Sequence, residues 1–90
     1  MRRTSPDEVI RNAGRRVAEI RAEKGWTQLG LAERLDVSLT YVQRIEAGRA
    51  NLSLRSLTGI ANVLQRPVAS LLTPAATKTP PVGRPRRERR

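Results

Sequence analysis

The sequence predicts an all-α fold, with five short helices in one compact domain followed by a disordered basic tail. Three observations predict it. Apolar residues recur at the helical period from Ile10 to Leu72, and the alternation of a half-buried strand is missing; the short run around Val37 is ambiguous only when read alone. A Ser or Thr precedes each of the first four periodic segments, and Gly25 and Gly48 stand where two of them stop. Residues 73–90 carry four Pro, one Val as their only large apolar residue, and no periodicity.

The first helix opens on Ser5-Pro6-Asp7-Glu8. Ser5 caps, Pro6 suits the first helical position, Glu8 completes a capping box, and both acids sit at the positive helix end. Ile10, Ala13, Val17 and Ile20 form one apolar stripe, and Gly25 supplies the stop. Gly14 is the weak point, costing about 1 kcal/mol against Ala inside a helix. The expected start of the ordered helix therefore lies near Asn12, with residues 5–13 less well ordered. Thr27 caps a second helix over 28–35, with Leu31, Ala32 and Leu35 inward. Asp36-Val37 makes a tight turn, and Ser38 caps a third helix over 39–47, with Val42 and Ile45 inward and Gly48 as its left-handed terminator. Two short helices joined so briefly must cross steeply, and Ala32 is small enough to stand where they touch. Ser53 caps a fourth helix whose Leu54, Leu57, Ile60, Ala61 and Leu64 share one face. Pro67 starts a fifth carrying Val68, Leu71 and Leu72, and Pro74 closes the domain. The chain thus divides into an N-terminal arm with the start of the first helix (1–12), a folded domain (13–72) and a tail (73–90).

Composition narrows the function. The 90 residues include 18 Lys plus Arg against 8 Asp plus Glu, a net charge of +10, with no Cys and no His. There is no thiolate nucleophile, imidazole base, zinc set or disulfide framework, so catalysis and cofactors are not expected. No 18-residue apolar run and no signal-peptide pattern occurs, so a cytoplasmic, nucleoid-associated protein is expected. The positive charge points to a polyanion, because counterion release favours dense Arg and Lys on a phosphate backbone. Residues 1–72 hold 12 basic and 7 acidic side chains, a net +5, and residues 73–90 hold 6 and 1, another +5. Half of the charge lies in a fifth of the chain.

Gln28-x-x-Leu31-Ala32, Val37-Ser38, Val42 and Ile45-Glu46-Ala47-Gly48-Arg49 stand together at spacings that resemble the Cro/repressor (XRE) helix-turn-helix family. The likeness runs from about Ala13 to Leu72 and takes in Arg16, Ile20-Arg21, Lys24-Gly25, Asn51 and Ile60-Ala61. It implies a five-helix lambda-repressor-like domain with its helix-turn-helix at about 27–47. Three positions depart from the pattern. Asp36 replaces the usual Gly of the turn, Gly30 replaces a Glu and removes a capping box, and Leu52 replaces a frequent Pro.

The resemblance implies that the third helix, about 39–47, enters the major groove of DNA while the second crosses the backbone. It assigns base reading to Leu39, Thr40, Gln43 and Arg44. Their chemistry agrees: Arg suits guanine O6 and N7, Gln suits adenine N6 and N7, and Leu or Thr meets a thymine methyl. Gln28, Ser38, Tyr41 and Arg49 are expected at phosphates, with Arg15, Arg16 and Arg55 as weaker candidates. Ser38 also reads as a plain N-cap, and Tyr41 also reads as a ring packed against the first turn. The family pairs the positions of Arg21 and Glu46 in a partly buried salt bridge. Trp26 reads as a core plug in preference to a base stacker.

In the tail, Gly83-Arg84-Pro85-Arg86-Arg87 resembles an AT-hook, which places Arg84, Arg86 and Arg87 in a narrow minor groove; the alternative is nonspecific phosphate attraction. The expected function is sequence-specific binding of double-stranded DNA and transcriptional regulation, as a repressor or autoregulator. The expected assembly is a homodimer through residues 53–72 on a two-fold symmetric operator. A second reading is an antitoxin or restriction-modification controller-type protein that also binds a toxin or other protein. A third is a nonspecific architectural nucleic-acid-binding protein.

Overall fold

The computed structural model describes residues 3–76. They form four α-helices, α1 (Pro6–Glu23), α2 (Gln28–Leu35), α3 (Leu39–Glu46) and α4 (Leu54–Leu64), then a single 3-10 helix, Val68–Leu71. There is no strand among the described residues, and no helix among them is long and apolar enough to cross a membrane.

Hydroxyl groups start all four α-helices. Ser5 Oγ accepts from the N–H of Asp7 (3.1 Å) and of Glu8 (3.4 Å), while Glu8 Oε1 accepts from the Ser5 N–H (3.3 Å). Thr27 accepts from Gly30 (2.9 Å), Ser38 from Tyr41 (3.0 Å) and Ser53 from Ser56 (3.0 Å). Each bond satisfies an N–H that the helix geometry leaves over, worth about 1 kcal/mol against Ala. The terminators are left-handed: Gly25 (φ +74°) after α1, Asp36 (φ 60°) after α2, Gly48 (φ +76°) after α3 and Gln65 (φ 59°) after α4. Asp36 tolerates this conformation where the resemblance expects Gly, because a short polar side chain crowds it little. Gln65 shows no such sequence signal.

These elements enclose one core: Ala13, Val17 and Ile20 from α1, Leu31 and Ala32 from α2, Val42 and Ile45 from α3, Leu57, Ile60, Ala61 and Leu64 from α4, with Leu71 and Ala50. Each large aliphatic among them contributes about 1.5–3 kcal/mol by leaving water. Two expected core residues, Leu54 and Leu72, are exposed, and Ile10 is only half-buried, outside the cluster. Leu54 is 76% exposed because it stands at the first position of α4, beyond the end of the packed face. Leu72 follows the 3-10 helix with its side chain out, since Leu71 occupies the interior.

Two further expectations are corrected. Helix α1 is continuous from Pro6, with no weak start before Asn12, because Gly14 is a contact position. A Cβ there would run into the Ile45 carbonyl oxygen and would stand 3.3 Å from that of Glu46. The local cost of Gly is offset by the close crossing of α1 over the end of α3. The fifth element is a single 3-10 turn and not an α-helix. Pro67 is its extended N-cap residue (ψ 148°), with no side chain to accept a cap bond, and only four residues follow before the chain turns off. Side chains of α1 hold this segment: Arg16 Nε donates to Ser70 O (2.8 Å), Asn12 Nδ2 donates to Thr73 O (2.7 Å), and the Ala75 N–H donates to Asn12 Oδ1 (2.7 Å).

Candidate nucleic-acid interface

Helix α3 is two-faced. Val42, Ile45 and Glu46 are buried, whereas Leu39, Thr40, Gln43 and Arg44 are exposed. The spacing i, i+1, i+4, i+5 gathers these four on one face within about 8 Å along the axis. None of the four side chains has a hydrogen bond or ion pair among the described residues, so all four are available to a ligand.

The buried end of α3 is fixed by charge. Arg21, 1% exposed, donates through Nε to Glu46 Oε2 (2.6 Å) and through Nη2 to Glu46 Oε1 (3.0 Å), a two-pronged pair between α1 and α3. Arg21 Nη1 donates to the Trp26 carbonyl (2.8 Å), and Gln28 Nε2 donates to Glu46 Oε1 (3.0 Å). The Glu46 carboxylate therefore ties α1 and α2 to α3, and Arg21 adds the loop before α2. A buried charge persists only when its hydrogen bonds are met, and here they are.

The remaining expected contact residues fall around this frame. Gln28, the first residue of α2, is half-buried with its amide nitrogen on Glu46. Ser38 is exposed and its hydroxyl is engaged as the α3 N-cap. Tyr41 is half-buried and lines a shallow groove with Leu35, Val37, Ser56, Gly59 and Ile60. Arg49 is exposed beyond the end of α3, its N–H donating to Arg44 O (2.8 Å). Arg55 is exposed on α4. Arg16 is turned into the fold, on Ser70 O and on Glu19 Oε1 (2.9 Å). Arg15 is half-buried, and its Nη1 is buried without an acceptor among the described residues. Trp26 packs on the core with two cations against its ring, Arg34 Cζ lying 3.9 Å and Lys24 Nζ 5.3 Å from the centroid. Arg84, Arg86 and Arg87 lie outside the described residues. Sequence reasoning passed over Arg11, which is exposed on α1 and lies against Gly48.

Comparison with known proteins decides the family, since a helix-turn-helix model, HTH_3, matches residues 17–71. The chain belongs to the HTH_3 helix-turn-helix family. It is 37% identical over 59 residues to the immunity repressor protein of Bacillus phage phi105, an alignment that takes in 66% of this chain. The chain spans about two fifths (41%) of that repressor's length. Among solved structures it is similar to the restriction-modification controller protein C.AhdI from Aeromonas hydrophila, with 31% identity, TM-score 0.65, and coverage of 69% of this chain and 94% of the controller. It is also similar to the clp gene regulator ClgR from C. glutamicum, with 33% identity, TM-score 0.67, and coverage of 71% and 83%. The HTH_3 match starts at Val17, so the first eleven residues of α1, with Arg11, Asn12 and Gly14, precede the shared segment.

Proposed function

We propose that this chain is a sequence-specific double-stranded-DNA-binding transcriptional regulator that reads its site with α3. The observation that carries this reading is the face of Leu39, Thr40, Gln43 and Arg44, four uncommitted side chains on a helix whose other face is locked by Val42, Ile45 and the buried Arg21–Glu46 pair. Laid in a major groove, that face offers a guanidinium to guanine, an amide to adenine and apolar groups to thymine methyls. Gln28, Ser38, Tyr41 and Arg49 take phosphates and set the register. The Glu46–Gln28 bond supports this arrangement, since it fixes the angle between the backbone-crossing helix and the reading helix. Arg84, Arg86 and Arg87 add affinity from the tail, at a minor groove or along phosphates.

An eight-residue helix reads only a few base pairs. A homodimer through 53–72 on a two-fold operator doubles the site, and exposed Leu54 and Leu72 supply apolar surface in that stretch. The activity is binding without catalysis, in the nucleoid. A second reading, a restriction-modification controller, is favoured by the coverage of 94% of the C.AhdI chain at 31% identity; it changes the regulated genes and not the contact chemistry. Selection of bound sites from a random DNA pool at fixed salt tests the proposal. One enriched motif with half-sites about one helical turn apart is expected, and a pool that enriches no motif would reject sequence-specific reading.

A further inference from the structure

We propose that Arg11, on the first helix, forms with Arg49 a phosphate-binding site at the far end of the reading helix, gripping the DNA backbone there. This rests on the DNA-binding reading above and deepens it. Three observations lead to it.

Arg11 is exposed, and its guanidinium has no ion pair or hydrogen bond among the described residues, although Asp7 stands one turn before it. It is held in place by its stem. A Cβ on Gly48 would stand 2.7 Å from Arg11 Cγ, 3.0 Å from its Cα and 3.3 Å from its Cβ, so the side chain leaves α1 directly over the residue that terminates α3. Gly48 serves twice here, adopting φ +76° and leaving room for Arg11. Arg49 follows Gly48 in the chain and is exposed as well, with its N–H anchored to Arg44 O. The crossing of α1 over the end of α3, made possible by Gly14, thus brings the stem of Arg11 to the glycine that Arg49 follows, and neither guanidinium has a hydrogen bond or ion pair among the described residues.

The size of the groove says what they meet. The major groove is about 12 Å wide, and eight helical residues at 1.5 Å each span about 12 Å. A helix with its N-terminal residues at the base edges therefore brings its other end to the groove wall, which is sugar-phosphate backbone. Gln28 meets this same end of α3 from the α2 side, through its bond to Glu46, and Arg11 meets it from the α1 side, so the Arg11–Arg49 site adds a backbone contact to the one from the start of α2. Arg11 lies before the residues that the HTH_3 model matches, and the capped first turns of α1 carry it there.

The test uses the full chain and a labelled mixed-sequence duplex, with affinity measured over a range of salt concentrations. A phosphate contact contributes about 0.9 to the slope of log affinity against log salt. Arg11→Gln is expected to reduce the slope by about that amount with the melting temperature unchanged, and Arg11→Lys to restore it. Arg66→Gln removes the same charge at the other end of α1, where Arg66 pairs with Glu23 (3.1 Å), and is expected to leave the slope near the wild-type value. An Arg11→Gln slope equal to wild type, or a change no larger than that of Arg66→Gln, overturns the proposal while leaving DNA binding intact. A lowered melting temperature with an unchanged slope makes Arg11 a counter-charge to the α3 carbonyl end and overturns it too. Wild-type protein that does not bind the duplex at any salt defeats both this site and the function on which it rests.

Discussion

Replacing Glu46 with Ala removes the acceptor for three donors at once. Arg21 Nε and Nη2 lose bonds of 2.6 and 3.0 Å, and Gln28 Nε2 loses one of 3.0 Å. Hydrogen bonds to charged groups are worth about 1.5–3 kcal/mol each, and the guanidinium, 1% exposed, keeps only the Trp26 carbonyl. Breaking a buried pair from one side costs about 3–5 kcal/mol, a large part of the stability of a domain this small. Urea unfolding followed by the fluorescence of Trp26, the single tryptophan, reads the loss directly. The expected outcome is a midpoint shift equivalent to at least about 3 kcal/mol, or at 4–8 °C per kcal/mol a melting temperature lowered by more than about 12 °C. DNA affinity falls with it. Removing both charges with apolar residues of similar size, Arg21→Met with Glu46→Leu, is expected to recover most of the stability, because no stranded charge remains. An Ala variant within about 1 kcal/mol of wild type would refute the reasoning, since that is the scale of an exposed pair.

Gly14→Ala places a methyl against the Ile45 carbonyl oxygen, with the Ile45 carbonyl carbon 3.2 Å away, and forces α1 off α3. The expected loss is about 1–3 kcal/mol by calorimetry, the scale of overpacking, although Ala is the better helix former. Gly59→Ala tests the opposite case. Gly59 is exposed inside α4 with open space around its would-be Cβ, and the variant should gain about 1 kcal/mol. A melting temperature raised by some 4–8 °C checks it.

The contrast between these glycines shows what the sequence could and could not reveal. Helix starts were legible because capping is local: Ser5, Thr27, Ser38 and Ser53 each bond an N–H two or three residues on. The purpose of Gly14 was hidden because its neighbour, Ile45, lies far along the chain, so local propensity counted the cost and missed the contact. Gln65 takes a conformation that local sequence assigns to Gly or Asn, directly after the fully buried Leu64. The place of Val68–Leu71 against α1 is held by Arg16 reaching Ser70, a long-range bond with no local signature. At the interface, helical spacing separated Leu39, Thr40, Gln43 and Arg44 from Val42 and Ile45. The same spacing says nothing of Gln28 turning to Glu46, or of Arg11 lying on Gly48, both of which are consequences of helix crossing.

The measurement that tests the central claim most directly compares wild type and Gln43→Ala on the selected site and on a scrambled duplex at the same salt. The account predicts that the variant loses about 1–3 kcal/mol of discrimination between the two duplexes, with little change on the scrambled one, because the side chain reads bases and neutralises no phosphate. Equal losses on both duplexes, or no loss on either, would contradict α3 as the reader of sequence.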